Sequence, residues 1–388
     1  MAAPPESPNH LHLGVALEGT GWHPAAWRQS DARPADLLTA PYWTGLVVEA
    51  ERGLLDFVTI EDGLALQSDQ PWRADTRTDR VRGRVDAVQI AARVAPKTRH
   101  IGLIPTAITS HTEPFHLSKA ISTLDYVSTG RAGVRVQVSA NPESAGHFGR
   151  EVADDALAEA ADYVEVLRRL WDSWEDDAEI RDASTGRFVD RDKLHYIDFE
   201  GRWFSVKGPS ITPRPPQGQP PVAALGHGDP AYRLIASSAD IGFVTPHSAE
   251  EIATLIDVIT ALRPAGVAPV RILPDVVVFL GDTATAAAAH RAHLDDLLGC
   301  EYISDAEVFV GTPAQLADLL QQWQAAGADG FRLRPASIGH DLHQITGGLV
   351  PELRRRGAFR SAYEQSTLRG LFGLSRPVNR YAHSLGPR

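Results

Sequence analysis

Short apolar runs alternate with longer helical patterns through nearly the whole chain. Strand-like runs fall at 11–18, 56–60, 101–108, 134–139, 221–225, 241–246, 275–280 and 329–335. Helical spacing of apolar residues follows each of them, at 42–52, 85–95, 115–127, 152–174, 230–238, 249–262, 283–298 and 340–356, with a further helix at 313–325. Such alternation implies parallel strands joined by right-handed crossovers. Eight units predict a closed (β/α)8 TIM barrel, one α/β domain over residues 1–388, rather than an open sheet. At 43% hydrophobic residues, the chain has the apolar content for that core.

One segment, 175–219, breaks the rhythm between the fourth helix and the fifth strand. It is rich in Asp, Arg, Gly and Pro ("DDAEIRDASTGRFVDRDK", then "TPRPPQGQPP"). A connection of this length is uncommon and usually functional. Tyr196, Ile197, Phe199, Trp203, Phe204 and Val206 give it apolar side chains for docking, so it is expected to form a lid or rim over the barrel mouth.

The 38 basic and 49 acidic residues give a formal net charge of -11. No basic patch is concentrated enough for a nucleic-acid surface. No apolar run approaches the ~20 residues of a membrane span, and "MAAPPESPNH" has no signal-peptide pattern. Cys300 is the sole cysteine, so a disulfide framework within the chain is excluded and a cytoplasmic, reducing location is expected. There is no phosphate loop of the GxxxxGK[ST] type and no GxSxG elbow. No metal cluster is expected either; His340-x-x-His343 and His111…His116 read as surface or capping histidines.

The fourth strand carries a sharper signal. In Val134-Arg135-Val136-Gln137-Val138-Ser139, valines alternate with polar residues. Barrel strands turn one set of side chains to the helices and the other to the lumen. Valines suit the helices, which sends Arg135, Gln137 and Ser139 inward. A buried arginine is costly unless paired. Arg135 therefore contacts a ligand at the C-terminal mouth or only bridges core carboxylates, the remaining alternative being that the two faces of the strand are reversed.

Several segments occur together in one order: "GWHPAAWR", "ERGLLDFVTIEDGL", "IGLIPTAITSHTEPFHLSKAISTLDYVSTGRAG", "LWDSWEDDA", "GPSITPRPPQGQPPV", "DGFRL" and "LVPELRRRGAFRSAYEQSTLRGLFGL". By these the chain resembles the luciferase-like flavin-dependent monooxygenases, in particular the nitrilotriacetate monooxygenase branch. The resemblance implies a homodimeric barrel that takes reduced FMN from a separate flavin reductase, activates O2 and oxygenates a small organic substrate. It places flavin contacts at Asp62 and Thr106, with the ring near the strand that carries Arg135, Gln137 and Ser139. Trp22, His23 and Trp27 resemble the substrate-side entrance, where rim packing is the alternative reading. Arg135 and His23 are the candidates for catalytic work, and Arg135 also for orienting an anionic substrate.

Other positions depart from the family pattern. Glu61 stands where the family has a small residue, and Gly133-Val134-Arg135 where it has Gly-Trp-Asn. An acid and a base are thus gained together, and Glu61 or Asp62 is expected to pair with Arg135 across the lumen. The family's His-x-x-Arg-Tyr is absent at 153–157, which reads "ADDAL". Leu225-Gly226-His227-Gly228 replaces Ala-Gly-x-Ser, whose serine helps to hold the FMN phosphate. Asp229-Pro230 follows and is expected to start a helix with Asp229 as N-cap, occupying the amides a phosphate would use. Three readings result: His227 with Gly226 and Gly228 holds the phosphate in a new way, the cofactor is the deazaflavin F420, or the chain is a non-catalytic flavin-binding or scaffold member.

Overall fold

In the structure, a computed structural model that describes residues 10–68 and 75–382, eight parallel strands close into a barrel. They are β1 (His12–Leu17), β2 (Phe57–Ile60), β3 (Gly102–Ile108), β4 (Val134–Gln137), β5 (Val222–Gly226), β6 (Ile241–Val244), β7 (Arg271–Leu280) and β8 (Gly330–Pro335). Each pairs with the next, and β1 pairs with β8 to close the ring. All eight expected strands are present.

An additional strand was not expected. β7 is ten residues long. Its first four residues pair with β6, while Val276–Leu280 pair with Glu307–Gly311. The overshoot of β7 beyond β6 leaves its edge free for this parallel partner, and "EVFVG" has the alternation to fill it.

Outward side chains pack under the helices. Val134 and Val136 of β4 join Tyr163, Val164 and Leu167 of the helix Ala156–Asp172 in one buried cluster. The valines of this strand thus face the helices as the alternation requires, and Arg135 is turned inward at 2% exposure.

The lumen is layered. At the N-terminal end, Phe57, Ile104, Ala223, Phe243 and Leu273 form an apolar cluster with Leu368 and Phe372 from the C-terminal segment. Glycine at the foot of two strands makes room for that segment: a Cβ at Gly102 would lie 2.3 Å from Leu368 Cδ1, and one at Gly133 3.0 Å from Leu368 Cδ2. Above this plug the inward positions turn polar, as in the β2 series Phe57, Thr59, Glu61 and the β7 pair Leu273, Asp275.

Residues 175–219 fold into two small hairpins, Glu179–Asp182 with Arg187–Val189 and Phe199–Glu200 with Ser205–Val206. Ile197 and Phe199 pack on Val166 and Leu170 of the preceding helix. Arg214 pairs with Asp172 at 2.9 Å, and Arg376 reaches Asp176 at 2.9 Å. The second hairpin runs along that helix to its mouth-side end, where Phe204 meets Tyr163 edge-on and Arg202 pairs with Asp154. No residue of the segment lines the mouth cavity, so it flanks the barrel rather than covering the cavity.

Candidate active site

The C-terminal mouth holds a cavity of about 800 Å³. Glu18 to Pro24 after β1, Gly63 to Ser68 after β2, Ile108 at the end of β3, Gln137 to Asn141 after β4, and Tyr302 to Asp305 line it. That volume lies within the ~300–1,000 Å³ of small-molecule and cofactor sites.

An ion network forms its floor. Arg135 donates Nη2 to Glu61 Oε2, and on to Gln137 Oε1 at 2.8 Å; its Nε donates to Thr106 Oγ1 at 2.9 Å. Thr106 and Arg135 are register partners on β3 and β4, which puts them at one height. Arg332 reaches Glu61 at 3.4 Å and Asp275 Oδ1 at 2.7 Å. Arg334 donates Nε to Asp275 Oδ2 at 2.8 Å and Nη1 to Asp305 Oδ1 at 2.6 Å. Burial alone would raise the Glu61 carboxyl, but Arg135 and Arg332 outweigh it and hold the group below its ordinary range. Burial likewise pushes Asp275 up, and Arg332 and Arg334 more than reverse it. On Arg135 burial wins, lowering the guanidinium to about 10 against the opposing pull of Glu61. The expected lumen pair therefore exists, with Glu61 rather than Asp62 as the partner.

The candidates divide between wall, floor and outside. Gln137, Ser139, Trp22 and His23 line the cavity. Ser139 is fixed by its amide, which donates to Ser110 Oγ at 2.9 Å. The Trp22 ring lies under the Arg334 guanidinium, 4.4 Å from its carbon to the ring centre. His23 accepts the Ala25 amide on Nδ1 at 3.1 Å, so Nε2 carries the proton and donates to Asp295 Oδ1 at 3.2 Å. Burial lowers its pKa, although Asp295 opposes this. Both ring nitrogens are engaged, so the geometry presents His23 as a brace of the wall rather than a free base.

Thr106 and Arg135 belong to the floor, beneath the lining. Asp62 turns its carboxylate to backbone amides, Gly63 at 2.7 Å and Ala87 at 2.9 Å, and thereby shapes the loop that does line the cavity. Trp27 stands outside and donates Nε1 to Asp79 O at 2.9 Å. His227 and Gly228 do not line the cavity, but His227 Nε2 lies 3.6 Å from Asp305 Oδ2 at its edge. Gly228, not Asp229, is the N-cap of the helix Asp229–Ser238, and no side chain caps it. The expected Asp229 cap is thus corrected. Gly228 runs fully extended (φ 176, ψ 172) and moves the helix start one residue toward the N-terminus, leaving Asp229 in the first turn.

Sequence reasoning missed Glu18, Arg84, Asp275, Arg332, Arg334 and Asp305. Glu18 is 7% exposed at the end of β1 and is clasped by Arg84, with Nη2 to Oε2 at 2.8 Å. Burial raises its pKa, and Arg84 opposes the rise. "FRLRP" shows the alternation of β4, with Phe331 and Leu333 outward and both arginines inward, so the signal for Arg332 and Arg334 was present.

Residues 25–307 match the family model described as luciferase-like monooxygenase. The chain is 32% identical to N-acetyl-S-(2-succino)cysteine monooxygenase of Bacillus subtilis (strain 168), over 96% of this chain and 98% of that protein. It is 31% identical to nitrilotriacetate monooxygenase component A of Aminobacter aminovorans, over the same shares of the two chains. Among solved structures, DmoA from Hyphomicrobium sulfonivorans superposes with a TM-score of 0.85 at 25% identity, covering 96% of this chain and 94% of that one. The chain belongs to the luciferase-like monooxygenase family and is an enzyme of its reduced-flavin-dependent, oxygen-inserting kind.

Proposed function

We propose that the chain is the oxygenase of a two-component system: it takes reduced FMN from a separate reductase, works as a homodimer in the cytoplasm, and oxygenates a small organic substrate. The observation that carries this reading is the polar-walled cavity of about 800 Å³ at the C-terminal mouth of a barrel of this family. A flavin ring with its side chain fits that volume. When bound, the flavin supplies the activation of O2 and the oxygen transferred.

The protein's part is orientation and exclusion of water. The amide of Gln137 and the hydroxyl of Ser139, on one edge of the β4 strand end, offer hydrogen bonds to the ring edge. Opposite, Trp22 gives an aromatic wall held flat by Arg334. The Glu61–Arg135–Thr106 layer closes the cavity from below, so water is kept from the reacting face except through the mouth. His227, at the uncapped start of the helix Asp229–Ser238, stands where a phosphate would meet backbone amides and an imidazole.

The test is an anaerobic titration with oxidised FMN, reduced FMN and F420, followed by fluorescence. Reduced FMN is expected to bind most tightly, and Gln137→Ala with Ser139→Ala to weaken it. Binding of F420 alone would replace this reading with hydride transfer. No binding of any of the three would leave a non-catalytic member.

A further inference from the structure

We propose that His290, His340 and Asp341 bind a divalent transition-metal cation of the zinc class, at a structural site that braces one wall of the cavity. This inference does not depend on which flavin the cavity takes.

The three residues come from two helices. His290 lies on the helix Ala284–Leu298 that follows β7, and His340 and Asp341 lie on the helix Ile338–Gln344 that follows β8. One ligand atom from each lies within 4.8 Å of the other two. Donors around a tetrahedral ion with bonds of about 2.0–2.2 Å sit about 3.3 Å apart. With Asp341 held by its amides, ion binding would draw the two imidazole rings inward to close that difference.

Each group has the character a ligand needs. His340 Nε2 lies 2.9 Å from Leu280 O, the outer hydrogen bond that ligating histidines commonly donate, and this leaves Nδ1 with its lone pair free. The His290 ring stands edge-on to His340, with centres 4.7 Å apart. Its Nδ1 is buried and has no hydrogen-bond partner. Asp341 is fully buried, and its two oxygens accept the Leu280 amide at 2.9 Å and the Ser337 amide at 2.8 Å, which fixes their position.

Charge is compatible with this geometry. Asp56, Glu61, Asp172, Asp240 and Asp275 are carboxylates of the interior that pair with an arginine. Asp125 and Asp341 are held instead by amide donors. Asp341 pairs with no arginine or lysine among the described residues, so a cation between it and the two imidazoles would meet no competing positive side chain. Two imidazoles with a carboxylate favour a borderline ion such as Zn2+ over Ca2+ or Mg2+, which prefer oxygen.

The position gives the site its role. Phe279 contacts both the His290 ring, at 6.1 Å, and the ring of His23, at 6.0 Å, and His23 lines the cavity. An ion here would tie the helices after β7 and β8 to the wall that faces the ligand. The sequence reads His340-x-x-His343 as surface or capping histidines; this fits His343, which is 71% exposed with its Nδ1 3.8 Å from Glu49 Oε1, but not the half-buried His340.

The experiment titrates Co2+ and then Zn2+ into tag-free, chelator-treated full-length protein. One equivalent of Co2+ is expected per chain, with visible absorption of a low-coordinate nitrogen and oxygen site, displaced by Zn2+. His290→Gln and His340→Gln should each weaken Co2+ by more than the ~10–100-fold that loss of an outer-shell partner costs. His343→Gln should leave it unchanged. Should either variant fail to fold, anomalous scattering from Zn2+-soaked crystals of the unaltered chain must place the ion between His290 and His340. Absence of Co2+ uptake, uptake that survives both substitutions, loss in His343→Gln, or an ion located elsewhere would each overturn the proposal.

Discussion

The lower and upper halves of the barrel lumen are filled by the same strands with opposite chemistry. Below, Phe57, Phe243, Leu273, Leu368 and Phe372 make an apolar plug. Above, Glu61, Arg135, Asp275, Arg332 and Arg334 make an ion network in which each guanidinium has a carboxylate. The two meet where the Arg332 guanidinium stacks on Phe243, 4.1 Å from the ring centre. The plug needs only volume, so any well-fitting apolar set serves. The network fixes side chains in direction, because each charge must meet its partner to repay desolvation. A barrel that must hold a polar ligand at one end can thus seal itself with grease at the other and place a rigid, directional layer directly under the ligand.

The largest expected effect is at Asp275. Asp275→Asn leaves Arg332 and Arg334 short of a shared counter-charge and should cost about 5 kcal/mol, at the upper end for a broken buried pair. Urea unfolding at neutral pH measures it. The network holds Asp275 and Glu61 below the ordinary carboxylate range, so their stabilisation is fully present above about pH 4 and is lost as pH falls through their depressed values. The gap between the parent chain and Asp275→Asn should therefore be flat from neutral pH down to that point and narrow below it. A gap that widens in acid would contradict the assignment. Because Arg334 also holds Trp22 and Asp305, reduced-flavin affinity should fall by roughly tenfold, or about 1.4 kcal/mol. Phe372→Ala, in the plug, should cost about 3–4 kcal/mol of stability through its cavity, with reduced-flavin affinity unchanged. If both substitutions disturbed flavin binding alike, the two halves would not be separate in function.

How much of this was legible follows the same division. Alternation within single strands is a local property, so it placed Arg135, Gln137 and Ser139 inward, while the departures from the family pattern pointed to Glu61 or Asp62 as the partner of Arg135. It was equally available in "FRLRP", where Arg332 and Arg334 were passed over because no pattern named them. The loops were harder. His227 and Trp27 were assigned by likeness of position, but whether a loop residue reaches the cavity depends on chain paths that no period encodes. The apolar content of the segment 175–219 shows that it docks, while only the chain path shows that it flanks the barrel and adds nothing to the cavity lining.

A smaller effect tests whether the floor acts as one unit. Arg135→Met and Glu61→Gln should each destabilise, since each strands a buried partner. The double variant should be less damaged than the sum of the two by about 2–3 kcal/mol, within the range found for contacting pairs. Additivity within about 0.5 kcal/mol would mean that Arg332, at 3.4 Å, already satisfies Glu61 without Arg135.

The smallest expected effect on folding lies at the rim, at His227. Its side chain is 53% exposed and touches Thr245 Oγ1 at 3.2 Å and Asp305 at 3.6 Å, so His227→Gln should change stability by less than about 0.5 kcal/mol. Binding discriminates where stability does not. If the imidazole meets the phosphate, the variant should lose about 1.5 kcal/mol of reduced FMN affinity, the value of one hydrogen bond to a charged group. Reduced riboflavin has the same ring and no phosphate, so its affinity should not move. Equal losses for both ligands would assign His227 to the shape of the mouth, and no loss for either would place the phosphate elsewhere. Only the second result would make the rim, like the plug, a region whose residues can be exchanged, and would leave the ion network as the part of the lumen that the ligand requires.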